Sequence, residues 1–131
     1  MKRPIFLFAA ALSVAVPAAA ASPIEGLWRN PKGTVTVRIA PCGPQYCGKV
    51  VAASAKARKD AAESGTRDLV GTNILSGMTP TGHNRWKGRV FLPKARRHAT
   101  GTFRLTAPSR MTVHGCILGI LCKDQSWTKV D

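Results

Sequence analysis

Thr34-Val35-Thr36-Val37-Arg38-Ile39 alternates polar and apolar side chains residue by residue. A period of two marks a strand with one wet face and one dry face, because successive side chains of an extended chain point to opposite sides. Val35, Val37 and Ile39 are expected inside and Arg38 outside. The pattern returns further along the chain. Arg85-Trp86-Lys87-Gly88-Arg89-Val90 puts Trp86 and Val90 on one face and three cations on the other. Thr102-Phe103-Arg104-Leu105 and Arg110-Met111-Thr112-Val113-His114 repeat it. Further strands are expected at 26–29, 47–53, 73–78 and 125–130, which makes eight.

Turn residues separate these runs. Asn30-Pro31-Lys32-Gly33, Thr79-Pro80-Thr81-Gly82-His83-Asn84 and Ala107-Pro108-Ser109 carry the Pro, Gly and Asn that reverse a chain. Eight short strands in succession favour an all-β fold, a small antiparallel up-and-down barrel, because closure removes unpaired edges. The interior of such a barrel is filled by side chains or holds one small ligand. One stretch breaks the rhythm. Residues 55–68 are rich in Ala, Lys, Arg, Asp and Glu and almost lack large apolar residues. They suit a short exposed helix or a loop, and read as a solvated insertion with no hydrophobes to close over anything.

The N-terminus has its own logic. Lys2-Arg3 precedes an apolar run from Ile5 to Val16, then Pro17 and Ala18-Ala19-Ala20-Ala21. Charge, a short apolar core and small residues before a polar one form a secretory signal. Residues 1–21 are therefore expected to be cleaved, leaving a single domain at 22–131 in the periplasm or secreted. The run is too short for the rival reading, a membrane anchor, and no later segment could span a bilayer.

All four cysteines, Cys42, Cys47, Cys116 and Cys122, lie after the signal. An even count in a small exported domain reads as disulfides. Three pairings are open. The local pairs Cys42–Cys47 and Cys116–Cys122 are favoured, since each brackets a turn-like stretch. The competing four-thiolate zinc site has spacings looser than usual. No pattern calls for a metal or a cofactor.

Charge gives the one positive functional signal. With Lys2 and Arg3 set aside, 18 basic and 6 acidic residues leave a balance of +12. Such a domain attracts anionic surfaces, and the repulsion between copies favours a monomer. Arg38, Arg85, Lys87, Arg89, Arg104 and Arg110 share the outward parity, and Lys94, Arg96 and Arg97 crowd the turn after Pro93. These residues are the candidate anion-binding set. The aromatics alternate to the opposite face, which disfavours nucleic acid, where exposed rings interleave with cations. An anionic lipid or polysaccharide surface fits better. Trp28, Trp86, Phe91, Phe103 and Trp127 are the candidate core or pocket residues, with core filling favoured.

Gly26-x-Trp28 at the first strand resembles the opening motif of lipocalins. The order that follows is more specific: Val37-x-Ile39-x-x-Cys42-Gly43, Tyr46-Cys47-Gly48-Lys49-Val50, Leu75-Ser76-Gly77-Met78, Trp86-x-Gly88-x-Val90-Phe91-x-Pro93, Val113-x-Gly115-Cys116 and Gln125-x-Trp127-Thr128-Lys129-Val130. From Gly26 to Val130 the chain resembles the bacterial secreted family designated domain of unknown function 2147. The resemblance implies a lipocalin-like barrel in an exported protein and carries no activity with it. It also implies an acidic residue before Pro93 and a glycine soon after. Here Leu92 precedes that proline and Lys94-Ala95-Arg96-Arg97-His98 follows, so the basic cluster is peculiar to this member.

Catalytic patterns are absent from the sequence. The acidic residues are Glu25, Asp60, Glu63, Asp68, Asp124 and Asp131, too scattered for a carboxylate pair. His83, His98 and His114 are far apart and fall in loops or on an outward face. No Gly-x-Ser-x-Gly, zinc-protease or phosphate-loop motif occurs. The chain therefore reads as a non-catalytic binding module for a small ligand or an anionic envelope component. One alternative is a solid barrel whose loops bind a protein or serve envelope stress. Another is an enzyme assembled only by folding, which requires a histidine within hydrogen-bond reach of a nucleophile.

Overall fold

The computed structural model describes residues 2–13, 22–117 and 119–131. The small-residue segment at 18–21, where cleavage is expected, lies outside them, as does Leu118. Residues 2–13 adopt no regular secondary structure and are exposed.

The strands are β1 (Gly26–Arg29), β2 (Val35–Cys42), β3 (Gln45–Ala53), β4 (Asn73–Gly82), β5 (Arg85–Leu92), β6 (Arg97–Ala107), β7 (Arg110–Ile117) and β8 (Leu121–Lys129), with a helix α1 (Ala55–Glu63) between β3 and β4. Each strand pairs antiparallel with the next, and β8 returns to β1 through Trp28 opposite Lys129 and Arg29 opposite Thr128. The sheet is a closed up-and-down barrel of eight strands. The alternation behind this expectation holds in space. Val37, Ile39, Trp86 and Phe103 are buried, while Arg38, Arg85, Lys87, Arg89 and Arg104 between them are exposed.

Local chemistry sets the turns. The Asn30 carboxamide accepts from the amides of Thr34 and Val35 at 2.8 and 3.0 Å and fixes the β1–β2 reversal. In β4, Gly77 at φ +60 sits where the pairing with β5 slips between Ser76 and Thr79. A bulge needs such a left-handed residue to re-aim the strand. The basic turn after β5 is shorter than expected. Arg97 and His98 already belong to β6.

The hairpins alternate between the ends of the barrel. One end gathers the β2–β3, β4–β5 and β6–β7 turns and the segment entering β1. There Ile24 and Trp28 are both 0% exposed, and the Trp28 indole N–H donates to the Ile24 carbonyl at 2.8 Å. Trp86, Phe103, Met111 and Trp127 complete a solid filling. The other end gathers the remaining turns and α1.

α1 corrects the expectation of an insertion that covers nothing. Ala-rich sequence with Lys56–Asp60 and Lys59–Glu63 at i,i+4 favours helix. Ser54 caps it by accepting from the Ala57 amide at 3.1 Å. Ala61 is buried and Ala57 packs against the core. Small side chains let the helix backbone lie close to the barrel, so no large hydrophobe is needed. Leu69, just beyond, is buried beside them.

Candidate functional site

The open end owes its space to small inward residues. On the dry face of β6 and β7 stand Ala99, Gly101, Val113 and Gly115, where the other end has tryptophan and phenylalanine. Gly88, Gly101 and Gly115 lie side by side across β5, β6 and β7. The first two are crowded. A Cβ on Gly88 would meet the Ser76 carbonyl oxygen at 2.8 Å, and one on Gly101 would meet Val90 at 2.9 Å. A Cβ on Gly115 would meet nothing closer than 3.8 Å. It faces a void.

That void is a cavity of about 240 Å³ lined by Val90, Leu92, Ala99, Val113, Gly115, Ile117 and Leu121, with Cys122, Lys123 and Gln125 on its β8 side. Its walls are apolar except for the Lys123 ammonium and the Gln125 carboxamide. The Gln125 oxygen is already engaged by the Trp127 indole N–H at 3.1 Å. Lys123 stands exposed at the mouth. The hairpin tip above is greasy, with Ile120 82% and Leu121 71% exposed.

α1 roofs part of this end and is held from the β5–β6 turn. Lys94 pairs with Asp60 at 3.4 Å, beside the Lys56–Asp60 contact at 2.9 Å. The Arg96 guanidinium donates to the Ser64 carbonyl at the end of the helix. The hydrogen bond from Lys56, reinforced by Lys94, holds the Asp60 carboxyl below its ordinary range. The same contact pushes the Lys56 ammonium up.

The residues singled out in the sequence fall into separate places. Trp28, Trp86, Phe103 and Trp127 lie in the core, and none of them lines the cavity. Phe91 is half-buried against the core with its ring 5.1 Å from His98. Lys94 and Arg96 are spent on α1. Arg38, Arg85, Lys87, Arg89, Arg97, Arg104 and Arg110 are exposed, and among the described residues none of them forms an ion pair. Arg85 stands directly opposite Arg104, and Arg38 opposite Lys49. The sequence does not single out Leu92, Ala99, Gly115, Ile117, Leu121 and Lys123 as site residues. Only Ala99 and Gly115 carry a signal, small size at inward positions, which attention to the aromatics hides.

The cysteines pair as Cys42–Cys47 and Cys116–Cys122, at opposite ends of the barrel, so no four-thiolate cluster forms. The second bridge joins directly opposed residues of β7 and β8 on the outer face. His114 and Asp124 are the opposed pair next along the same face. The ring of His114 touches both groups, with Nδ1 on the Asp124 carboxylate and Nε2 3.4 Å from Cys116 Sγ.

Comparison with known proteins agrees with this architecture. Among solved structures, protein HP1028 from the human pathogen Helicobacter pylori, which belongs to the lipocalin family, superposes with a TM-score of 0.63. The match covers 82% of each chain at 10% identity, a likeness of fold alone. No curated protein matches the sequence. The family model for uncharacterized proteins conserved in bacteria, DUF2147, matches residues 26–129, from the first residue of β1 to the last of β8. The chain belongs to that family, and its barrel is lipocalin-like.

Proposed function

We propose that the chain is an exported carrier of a small amphiphile, whose apolar tail enters the cavity and whose anionic head meets Lys123. The observation that carries this reading is an apolar void with one cation at its mouth. Ligand sites of drug size run from about 300 to 1,000 Å³. A void of about 240 Å³ therefore suits a short chain. An apolar ligand gains by leaving water, and one charged group at the rim fixes its orientation. The exposed Ile120 and Leu121 offer a greasy path inward.

Two features support export and approach to an anionic surface. The apolar residues Phe6, Leu7 and Phe8 stand exposed and add nothing to the barrel, as expected of a segment that is removed. Like charges directly opposed across strands are destabilising unless an anion neutralises them. The Arg85–Arg104 and Arg38–Lys49 pairs are such places. The basic exterior would hold the protein at anionic lipid or polysaccharide, with the mouth available to take up the amphiphile. Among the described residues no helix is long and apolar enough to cross a membrane.

Calorimetric titration with octanoate, octanol and octylammonium tests the carrier. Octanoate should bind best and octylammonium worst. Gly115→Val should abolish octanoate binding by filling the void, and Lys123→Ala should weaken it about tenfold, the loss of one charge-assisted contact. Equal binding of the cation and the anion, or undiminished binding in Gly115→Val, would refute the reading. Binding to anionic vesicles should fall as salt rises through about 0.15 M, where the screening length is about 8 Å.

A further inference from the structure

We propose that the Cys116–Cys122 bridge is a reactive disulfide that exchanges with a dithiol, with His114 as its proton donor and Asp124 as the residue that positions His114. This does not rest on the carrier reading: Cys122 borders the cavity, but the exchange needs no occupant in it.

The geometry supplies each part. One ring nitrogen of His114 and both sulfurs lie within 4.8 Å of one another. The Asp124 carboxylate can only accept, so it holds a proton on Nδ1 of His114, and in the imidazolium form the Nε2–H then faces Cys116 Sγ at 3.4 Å. A proton donor beside a sulfur stabilises the thiolate that leaves when the bridge opens. The two sulfurs are not equivalent. Cys122 is exposed, whereas Cys116 is half-buried beside the imidazole. An incoming nucleophile therefore meets Cys122, and Cys116 is the leaving group.

The exchange balances as follows. A thiolate of the dithiol, its proton already given to water, attacks Cys122 Sγ and forms a mixed disulfide. The Cys116–Cys122 bond breaks, and Cys116 Sγ takes its electron pair and a proton from the His114 imidazolium. The second thiol of the reductant gives its proton back to His114 and attacks its own sulfur in the mixed disulfide. Cys122 leaves with the electron pair and takes a proton from water. The dithiol is oxidised by two electrons to a cyclic or intramolecular disulfide, and the protein gains two thiols.

The Cys42–Cys47 bridge is an internal control. Among the described residues no histidine contacts it. His114 and Asp124 are themselves solvent-exposed, with side chains 48% and 71% accessible, so screening limits the gain.

The test is the reduction of the oxidised full chain by dithiothreitol, with timed alkylation and mass mapping of each pair. Cys116–Cys122 should open about tenfold faster than Cys42–Cys47. His114→Ala should remove most of that advantage and leave the Cys42–Cys47 rate unchanged. Asp124→Asn should slow the same bridge, and Asp124→Glu should restore it, which a merely structural role would not do. The comparison between the two bridges in the natural chain needs no variant to fold. The proposal is overturned if Cys42–Cys47 opens first. It is also overturned if His114→Ala leaves the Cys116–Cys122 rate unchanged, because exposure alone would then explain the difference.

Discussion

At one end of the barrel, the indole of Trp28 is locked onto the Ile24 carbonyl among Trp86, Phe103 and Trp127. At the other, Ala99 and Gly115 leave a void under a hairpin whose tip carries exposed Ile120 and Leu121. Both ends use cross-strand disulfides in their hairpins, yet only one bridge has a histidine and a carboxylate beside it. The contrast is in the volume placed at inward positions. Large rings fill one end, and their absence leaves room at the other.

The contrast breaks first, if at all, in unfolding energies. Trp28→Ala at the sealed end should cost about 3–5 kcal/mol, as for a fully buried ring, and would leave the Ile24 carbonyl without its partner. Leu92→Ala at the cavity should cost roughly 1 kcal/mol, because that side chain is only half-buried and borders the void. Urea midpoints measured on the two variants compare them directly. Equal losses would mean that the open end is packed as tightly as the sealed one.

Much of this was legible in the chain. The period-two runs at 34–39, 85–90, 102–105 and 110–114 place inward and outward residues as the barrel does, because a closed sheet has only two faces. The local cysteine pairs follow from hairpins, which bring neighbouring strands within bridging distance. The α1 contact escaped notice because burial by alanine carries no hydrophobic signature. The cavity escaped for a related reason. A void is written in what is missing, and Gly115 reads like any strand glycine until its neighbours are known. His114 and Asp124 are ten residues apart in sequence and meet only through the β7–β8 register.

The glycine row sharpens the comparison. Gly101→Val forces branches into a site where even a Cβ would come 2.9 Å from Val90 and 3.1 Å from Phe103. Overpacking of this kind costs about 1–3 kcal/mol. Gly115→Val, two strands' width from Gly88, meets open space and gains a good strand former, so its stability should stay within about 0.5 kcal/mol of the parent. Thermal melts of the two variants separate these outcomes. A large loss in Gly115→Val would show that the void is not available to a side chain, and the carrier reading would fall with it.

The smallest effect concerns the tether of α1 over the open end. The carboxyl of Asp60 is lowered in the folded state, first by its hydrogen bond from Lys56 and then by Lys94. A carboxylate lowered on folding stabilises the folded state above its unfolded pKa, and that contribution disappears as pH falls through the folded value. The Lys94–Asp60 link should therefore be intact at neutral pH and lost only below the ordinary carboxylate range of about 4. Asp60→Asn removes the charge at every pH, so it should lack this acid step while sharing all others. Amide exchange of α1, followed from neutral to acid, reads the difference. In the parent, protection of α1 should drop in acid by more than in Asp60→Asn, with the sealed-end strands unchanged in both. If the two proteins lose α1 protection together, Asp60 does not hold the helix, and burial of Ala61 and the Arg96–Ser64 contact suffice to keep it on the barrel.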